Sequence, residues 1–328
     1  MSADPTTPTR SGARQRFWNW LPDRVDGRIR VFAWLSFLAE VAIIGTGGAV
    51  RLTGSGLGCP TWPTCTPESL VPTPEMGIHG IIEFGNRTLT GLVGILALIV
   101  LVLVLKIRRE RRDLFVLSAI VLGGVVAQAV VGGITVLTGL NPFIVGFHYV
   151  SSLVLVCVTA AFLVRMREPA GARRLAVPRW HMILTHVATV ALAATIAMGI
   201  LTTGAGPHSG DADAGRNGFN AELLQHVHAW PSYALFALTL ALLVAAWRVR
   251  ADAPGLLRWT VALLGVELVQ IGVGLYQARN GLPELAVGIH MVLAALAAAT
   301  MTVVVLHLKR PLAAVAAAEG AAARTGVA

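Results

Sequence analysis

Charge is what this sequence has least of. Only 13% of its 328 residues are Asp, Glu, Lys or Arg, where soluble globular domains carry about 25%. With 55% hydrophobic residues and a mean hydropathy of +0.70, the composition excludes an ordinary water-soluble domain and points to a chain that crosses the bilayer many times. A net charge of +9 would otherwise suggest nucleic acid. The Lys and Arg residues sit instead in short clusters between apolar runs, so the lipid bilayer is the expected medium and no nucleic-acid partner is expected. Cysteine is scarce too, with three in the chain. Cys157 lies in an aliphatic stretch and reads as a small core residue. Cys59 and Cys65, in G-C-P-T-W-P-T-C, are too few for a zinc site without nearby partners. A disulfide closing this loop on an oxidising side of the membrane and a dithiol that cycles during function are the two readings left. Met1–Gly27 lacks the apolar core of a cleavable signal peptide. It is polar and rich in Pro, Thr and Arg, so a disordered tail is expected.

Apolar segments long enough to cross a hydrocarbon core of about 30 Å fall at 31–50, 78–105, 114–137, 143–165, 181–203, 222–247, 259–278 and 285–308. Basic clusters precede the first span (Arg10 to Arg30) and follow the second (Lys106 to Arg112), fourth (Arg165 to Arg179), sixth (Arg248, Arg250, Arg258) and eighth (Lys309, Arg310). The alternate loops hold only Arg51, Arg216 and Arg279. By the positive-inside rule both termini are cytoplasmic, in a multi-pass protein of a bacterial plasma membrane.

Sliding the chain against itself by 142 positions aligns Gln128 with Gln270, Gly132 with Gly274, Gly146 with Gly288 and His148 with His290. The same offset puts Glu83 on Gln225 and Asn86 on His228. The fold expected is therefore an all-α membrane protein of eight transmembrane helices, arranged as two four-helix bundles related by a pseudo-two-fold axis along the membrane normal. A cytoplasmic tail (1–27) leads into an N-terminal half (28–168), a C-terminal half (169–310) and a second tail (311–328).

His228 and His290 are 62 residues apart, as are Asn86 and His148. All four positions lie roughly 8–14 Å inside the outer ends of their spans at 1.5 Å per residue. Two imidazoles at matching depth on the second and fourth helices of a four-helix unit suit axial ligation of haem iron. The first half offers only His148, opposite Asn86. In I-H-G-I-I-E-F-G-N-R-T-L-T-G, His79, Glu83, Asn86 and Thr90 share one face of a helix, and an ionisable stripe inside a membrane span reads as a functional site. Glu83 is read as a proton acceptor or a positioner of water. Arg51 and Arg87, near the outer boundary, either snorkel to the interface or bind carboxylates of a haem. Glu40 and Glu267 are read as structural, the first pairing with an inward-facing Arg and the second hydrogen-bonding across helices. His226 points away from His228 and is left as an interfacial or supporting group; His181, His186 and His307 read as interface residues. His208 reads either as a solvated loop residue or as a contact for ligand carboxylates.

Together, G-G-A-V-R-L-T-G-S-G-L-G-C-P-T-W-P-T-C, I-E-F-G-N-R-T-L-T-G, F-H-Y-V-S-S-L, G-P-H-S-G-D, L-L-Q-H-V-H-A-W and G-I-H-M-V-L-A resemble the haem A synthase family over about 31–308. The resemblance implies oxidation of the ring methyl of haem O to the formyl group of haem A, for terminal cytochrome oxidase. It implies haem b held by His228 and His290, haem O as substrate near His148 and Glu83, and the Cys59/Cys65 loop over the substrate. It further implies haem O synthase and a membrane electron acceptor as partners. The chain departs from the family's E-x-x-H-R, because Asn86 stands where a ligand histidine is usual, and it resembles an actinobacterial-type variant. Ala229 likewise replaces the Arg of the second half's H-R pair. His79 is displaced from the ligand level by about 10 Å. The alternative activity is a di-haem b electron-transfer protein without substrate chemistry, which calls for four equivalent ligands. A transporter built from repeats is a third reading, and it leaves the histidine spacing unexplained.

Overall fold

The computed structural model describes residues 12–312. Among these, nine α-helices dominate, in chain order α1 (Ala13–Trp20), α2 (Gly27–Leu52), α3 (Gly77–Val104), α4 (Arg112–Leu137), α5 (Pro142–Arg165), α6 (Arg179–Ala205), α7 (Ala221–Arg248), α8 (Pro254–Arg279) and α9 (Glu284–His307). All but α1 are long and apolar enough to cross a membrane, so this is an all-α membrane protein. Sheet structure among the described residues is confined to a short antiparallel ribbon of β1 (Arg173–Leu175) and β2 (Lys309–Pro311), with Arg174 opposite Arg310. The ribbon ties the segment after α5 to the end of α9.

Helix starts follow local chemistry. The Asp26 side chain accepts from Ile29 N at 3.1 Å and opens α2, while Asn220 does the same for α7 through Leu223 N. Asn141 caps α5 ahead of Pro142, a residue preorganised for the first helical position. Pro254 also opens α8, five residues before the apolar run begins, because the buried stripe Leu256, Thr260, Leu263 and Glu267 extends that far. A stripe of the same period on α2, from Ile29 through Ser36, Glu40 and Ile44 to Leu52, is buried.

The expectation of disorder through Gly27 fails at α1. Arg28 Nη1 donates to Trp20 O at 2.8 Å and the guanidinium lies 5.2 Å from the Trp20 ring centroid. Leu21, 1% exposed, anchors the turn. Eight residues with no apolar stripe leave no periodicity by which to recognise such a helix. The remainder of that tail, residues 1–11, and residues 313–328 of the C-terminal tail lie outside the described residues.

In the first half α2 packs on α3 and α5, α3 on α4, and α4 on α5; in the second, α6 packs on α7 and α9, α7 on α8, and α8 on α9. The halves meet where α9 lies against α2 and α5. There Ile44, Leu153, Val156, Ala295, Ala299 and Val303 form one apolar cluster. Tyr149 Oη donates to Met291 O at 2.8 Å across this seam. The two residues are related by the 142-position repeat.

Candidate functional site

The second-half histidines come together. His228 on α7 and His290 on α9 face each other with ring centroids 6.3 Å apart and planes at 75°. Two imidazole nitrogens on opposite sides of one metal, each about 2 Å from it, put ring centroids roughly 6 Å apart. His228 Nδ1 lies 2.9 Å from Thr195 O. A carbonyl only accepts, so Nδ1 carries the proton and Nε2 is the free ligand atom. His290 Nδ1 is buried with no hydrogen-bond partner. Each ring rests on a glycine of the preceding helix. A Cβ at Gly199 would stand 2.9 Å from His228 Cε1, and one at Gly274 would stand 3.1 Å from His290 Cε1. Both histidines line a cavity of about 290 Å³. Among the described residues no three His, Cys, Asp or Glu side chains converge as a metal cluster. Two imidazoles alone complete no ordinary ion site, but they fit a metal that brings its own equatorial ligands, as haem does.

The first half repeats half of this arrangement. Gln128 Nε2 donates to His148 O at 2.8 Å, as Gln270 Nε2 does to His290 O at 3.1 Å. Gln128 also donates to Ser152 Oγ. Gly132 underlies the His148 ring, where a Cβ would be 3.4 Å from Cε1, and His148 Nδ1 is buried without a partner. On α3 the counterpart of His228 is Asn86. Its Oδ1 accepts from Thr46 Oγ1 at 2.8 Å, and its Nδ2 would be 3.9 Å from a Cβ at Gly47. The four equivalent ligands of a di-haem cytochrome are therefore not present. Asn86 and His148 line the cavity shared with the second half and also a second one, of about 260 Å³, with Glu83, Arg87, Arg51 and Trp62.

Over that second cavity lies the loop after α2, where Cys59 and Cys65 form a disulfide with both residues fully buried. Glu83 and Arg87, one turn apart, clasp the loop. Glu83 Oε1 pairs with Arg87 Nη2 at 2.5 Å, and Oε2 accepts from Cys59 N at 2.6 Å. Arg87 donates onward to Cys59 O at 2.8 Å, Thr61 O at 3.0 Å and Thr64 O at 3.2 Å. Trp62 lies against Gly133 of α4, where no side chain would fit. Gln225, the repeat partner of Glu83, is exposed and makes no such clasp. Arg51, lining both cavities, donates from Nε to His208 O at 2.8 Å and from Nη2 to Thr203 O at 3.0 Å, tying the first half to the loop after α6.

Glu83, Asn86 and Thr90 thus share a cavity wall, but His79 does not join them. One turn nearer the helix start, it is exposed and bonded through Nδ1 to Ser55 Oγ at 2.9 Å. His208 lines neither cavity and holds Leu282 O at 2.9 Å. His226 and His186 are exposed, His307 bonds Val303 O at 2.7 Å, and His181 is fully buried beside Trp180. Glu267 accepts across helices from Thr239 Oγ1 at 2.8 Å, as expected. Glu40 does not pair with an arginine; its Oε1 has no partner, and Arg51, about 16 Å away along the axis of α2, bonds the loop carbonyls instead. Sequence reasoning missed the loop clasp, Trp62, Thr46, Thr195 and the glycines under the rings. The i,i+4 spacing of Glu83 and Arg87 was the available signal for the first, and the Gly132/Gly274 match in the repeat was the signal for the last.

Proteins named "Heme A synthase" are similar to this chain. The one from Lysinibacillus sphaericus is 36% identical over 132 residues, covering 38% of this chain and 41% of the relative. The one from Bacillus cereus (strain AH187) is 33% identical over 129 residues, covering 38% and 41%, and that from Exiguobacterium sibiricum is 27% identical over 140 residues, covering 42% and 46%. The chain spans less than half the length of these curated relatives. The profile described as COX15-CtaA, cytochrome oxidase assembly protein, matches residues 30–305 and so takes in both cavities and all eight long helices. On that match, which takes in the paired histidines, the clasped loop and Asn86 alike, the chain belongs to the COX15-CtaA family.

Proposed function

We propose that this protein acts as a haem A synthase, oxidising the ring methyl of haem O to a formyl group for terminal cytochrome oxidase, in a bacterial plasma membrane with both termini cytoplasmic. The observation that carries this reading is the inequality of two repeat-related pockets. One has facing imidazoles 6.3 Å apart; the other has a single imidazole, an amide, and an ion-paired carboxylate beneath a disulfide loop. The names of the similar proteins support the same reading.

In this account the four-helix halves are related by a pseudo-two-fold, and the chemistry belongs to the first. His228 and His290 would hold haem b, which would supply one-electron transfer when bound. His148 binds the iron of the substrate haem from one side. Asn86, held back by Thr46, leaves the other side open. Arg51 meets the substrate's carboxylates at the mouth. Two successive two-electron oxidations of the methyl, each taking one oxygen from water and releasing two protons and two electrons to the membrane acceptor, give an alcohol and then a hydrated aldehyde, which loses water. Glu83 accepts protons released at the cavity wall, while its bonds to Cys59 and Arg87 hold the loop closed over the site and keep bulk water out. Electrons leave to a membrane acceptor, and haem O arrives from the synthase that makes it.

Expression in a bacterium that makes haem O but not haem A tests the proposal. Haem A in the membrane extract is the expected result, and its absence with folded, pigmented protein overturns it. Asn86→His is expected to add a second axial imidazole to the substrate haem. The optical spectrum of the haem O-loaded variant should gain a second low-spin, six-coordinate component alongside that of the His228/His290 site.

A further inference from the structure

Glu40 has no place in the account so far. It is 2% exposed, near the middle of α2, and its Oε1 is buried without a hydrogen-bond partner while the side chain lines the larger cavity. An unpartnered carboxyl at that depth is costly and marks a contact for something else.

Its level is set by its neighbours on the helix. Arg51, Gly47, Ile44 and Glu40 lie on one face of α2, and all line the cavity. Gly47 stands beside Asn86, and so at the level of the ligand positions. Glu40 lies seven residues earlier, about 10 Å toward the ribbon end, and Arg51 four residues later, about 6 Å the other way. A haem at the level of Asn86 and His148, with its carboxylates toward Arg51, turns its opposite edge to Glu40.

The second half gives an internal comparison. Leu192 takes the place of Glu40 there, 152 positions on, by the same offset that relates Gly47 to Gly199. That half carries its carboxyl on α8 instead, as Glu267, whose counterpart in the first half is Val125. Glu267 Oε1 is already engaged by Thr239 at 2.8 Å. Each half thus places one carboxyl in the wall of the larger cavity; Glu267 leaves Oε2 unpartnered but has a hydroxyl on Oε1, and Glu40, in the proposed substrate half, lacks such a partner.

We propose that Glu40 is a specificity-determining residue, whose carboxyl binds a hydroxyl on the edge of the substrate haem opposite its carboxylates and so selects a haem bearing a hydroxylated side chain. The inference rests on the reading of the first half as the haem O pocket. Haem O carries such a hydroxyl at the root of an isoprenoid chain, where haem b has a hydrocarbon vinyl group. Ile43, Ile44, Val93, Val125 and Leu155, which line the same cavity as Glu40, offer that chain an apolar wall.

The test titrates purified protein, its His228/His290 site already loaded, with haem O and separately with haem b. Wild type is compared with Glu40→Leu, which copies the second half's residue, and with Glu40→Gln, which keeps an acceptor. The loaded site's spectrum reports that each variant is folded. Glu40→Leu should weaken haem O binding roughly tenfold and leave haem b binding in the same pocket unchanged, while Glu40→Gln stays within about threefold of wild type. Equal haem O affinity in wild type and Glu40→Leu, or an equal loss for both haems, overturns the inference alone. Failure of wild type to bind haem O overturns the functional reading with it.

Discussion

Glu83→Ala is expected to abolish haem A formation, by at least about a hundredfold, while haem b and bound haem O remain. The carboxylate is 5% exposed and holds two partners, Arg87 at 2.5 Å and the Cys59 N–H at 2.6 Å. Removing one member of a buried ion pair typically costs about 3–5 kcal/mol, because the other charge is left uncompensated. Here that charge is Arg87, which carries three loop carbonyls. The loss is thus confined to the cover of the second cavity and the proton acceptor in its wall. Neither His228 nor His290 touches these groups, so the second half should keep its haem. Glu83→Gln separates the two roles: it can still accept from Cys59 N, but it no longer neutralises Arg87 or takes a proton. Mass analysis of extracted pigments checks both variants. Haem A at the wild-type level in Glu83→Ala would remove this residue from the mechanism.

His290→Ala should empty the second half, lowering bound haem b at least roughly tenfold and stopping turnover with it. The ring is one of two facing imidazoles, its Nδ1 makes no hydrogen bond, and Gly274 lies under it, so nothing near it can substitute. His228→Ala should do the same, and it also frees Thr195 O. The space left above Gly274 is imidazole-shaped, so added imidazole should restore the low-spin spectrum of His290→Ala. Retention of haem b in both variants, read from the visible spectrum of purified protein, would take the electron-transfer site away from this pair.

The eight spans were legible because apolar runs of that length admit few other folds, and the repeat offset selected His228, His290 and His148 because positions equivalent by sequence became equivalent in space. Asn86 was legible as the odd member for the same reason. Glu83 was read as a proton acceptor or a positioner of water and Arg87 as a snorkelling group or a partner of haem carboxylates, but their shared clasp on the loop was not legible. Which loop carbonyls an arginine holds depends on the path of an irregular Pro-rich segment, and no periodicity encodes that path. His79 illustrates the limit: the helical wheel put it with Glu83, but one turn of rise carried it past the cavity to Ser55. Glu40 failed in the opposite sense, since a buried carboxyl suggests an arginine partner, yet the arginine on its own helix face, Arg51, lies three turns away and bonds loop carbonyls. Helix α1 was missed because what holds it, Arg28 on Trp20 and Arg108 over Trp18, is contact with other segments.

The division of labour between the halves is tested most directly by the pigments bound to His148→Ala. This residue lies in the first half, its ring on Gly132 and its Nδ1 unpartnered, with no counterpart imidazole across from it. Purified from cells that make haem O, the variant should carry haem b at the wild-type level and neither haem O nor haem A. Loss of haem b with haem O retained would contradict the account and move the substrate to the other half.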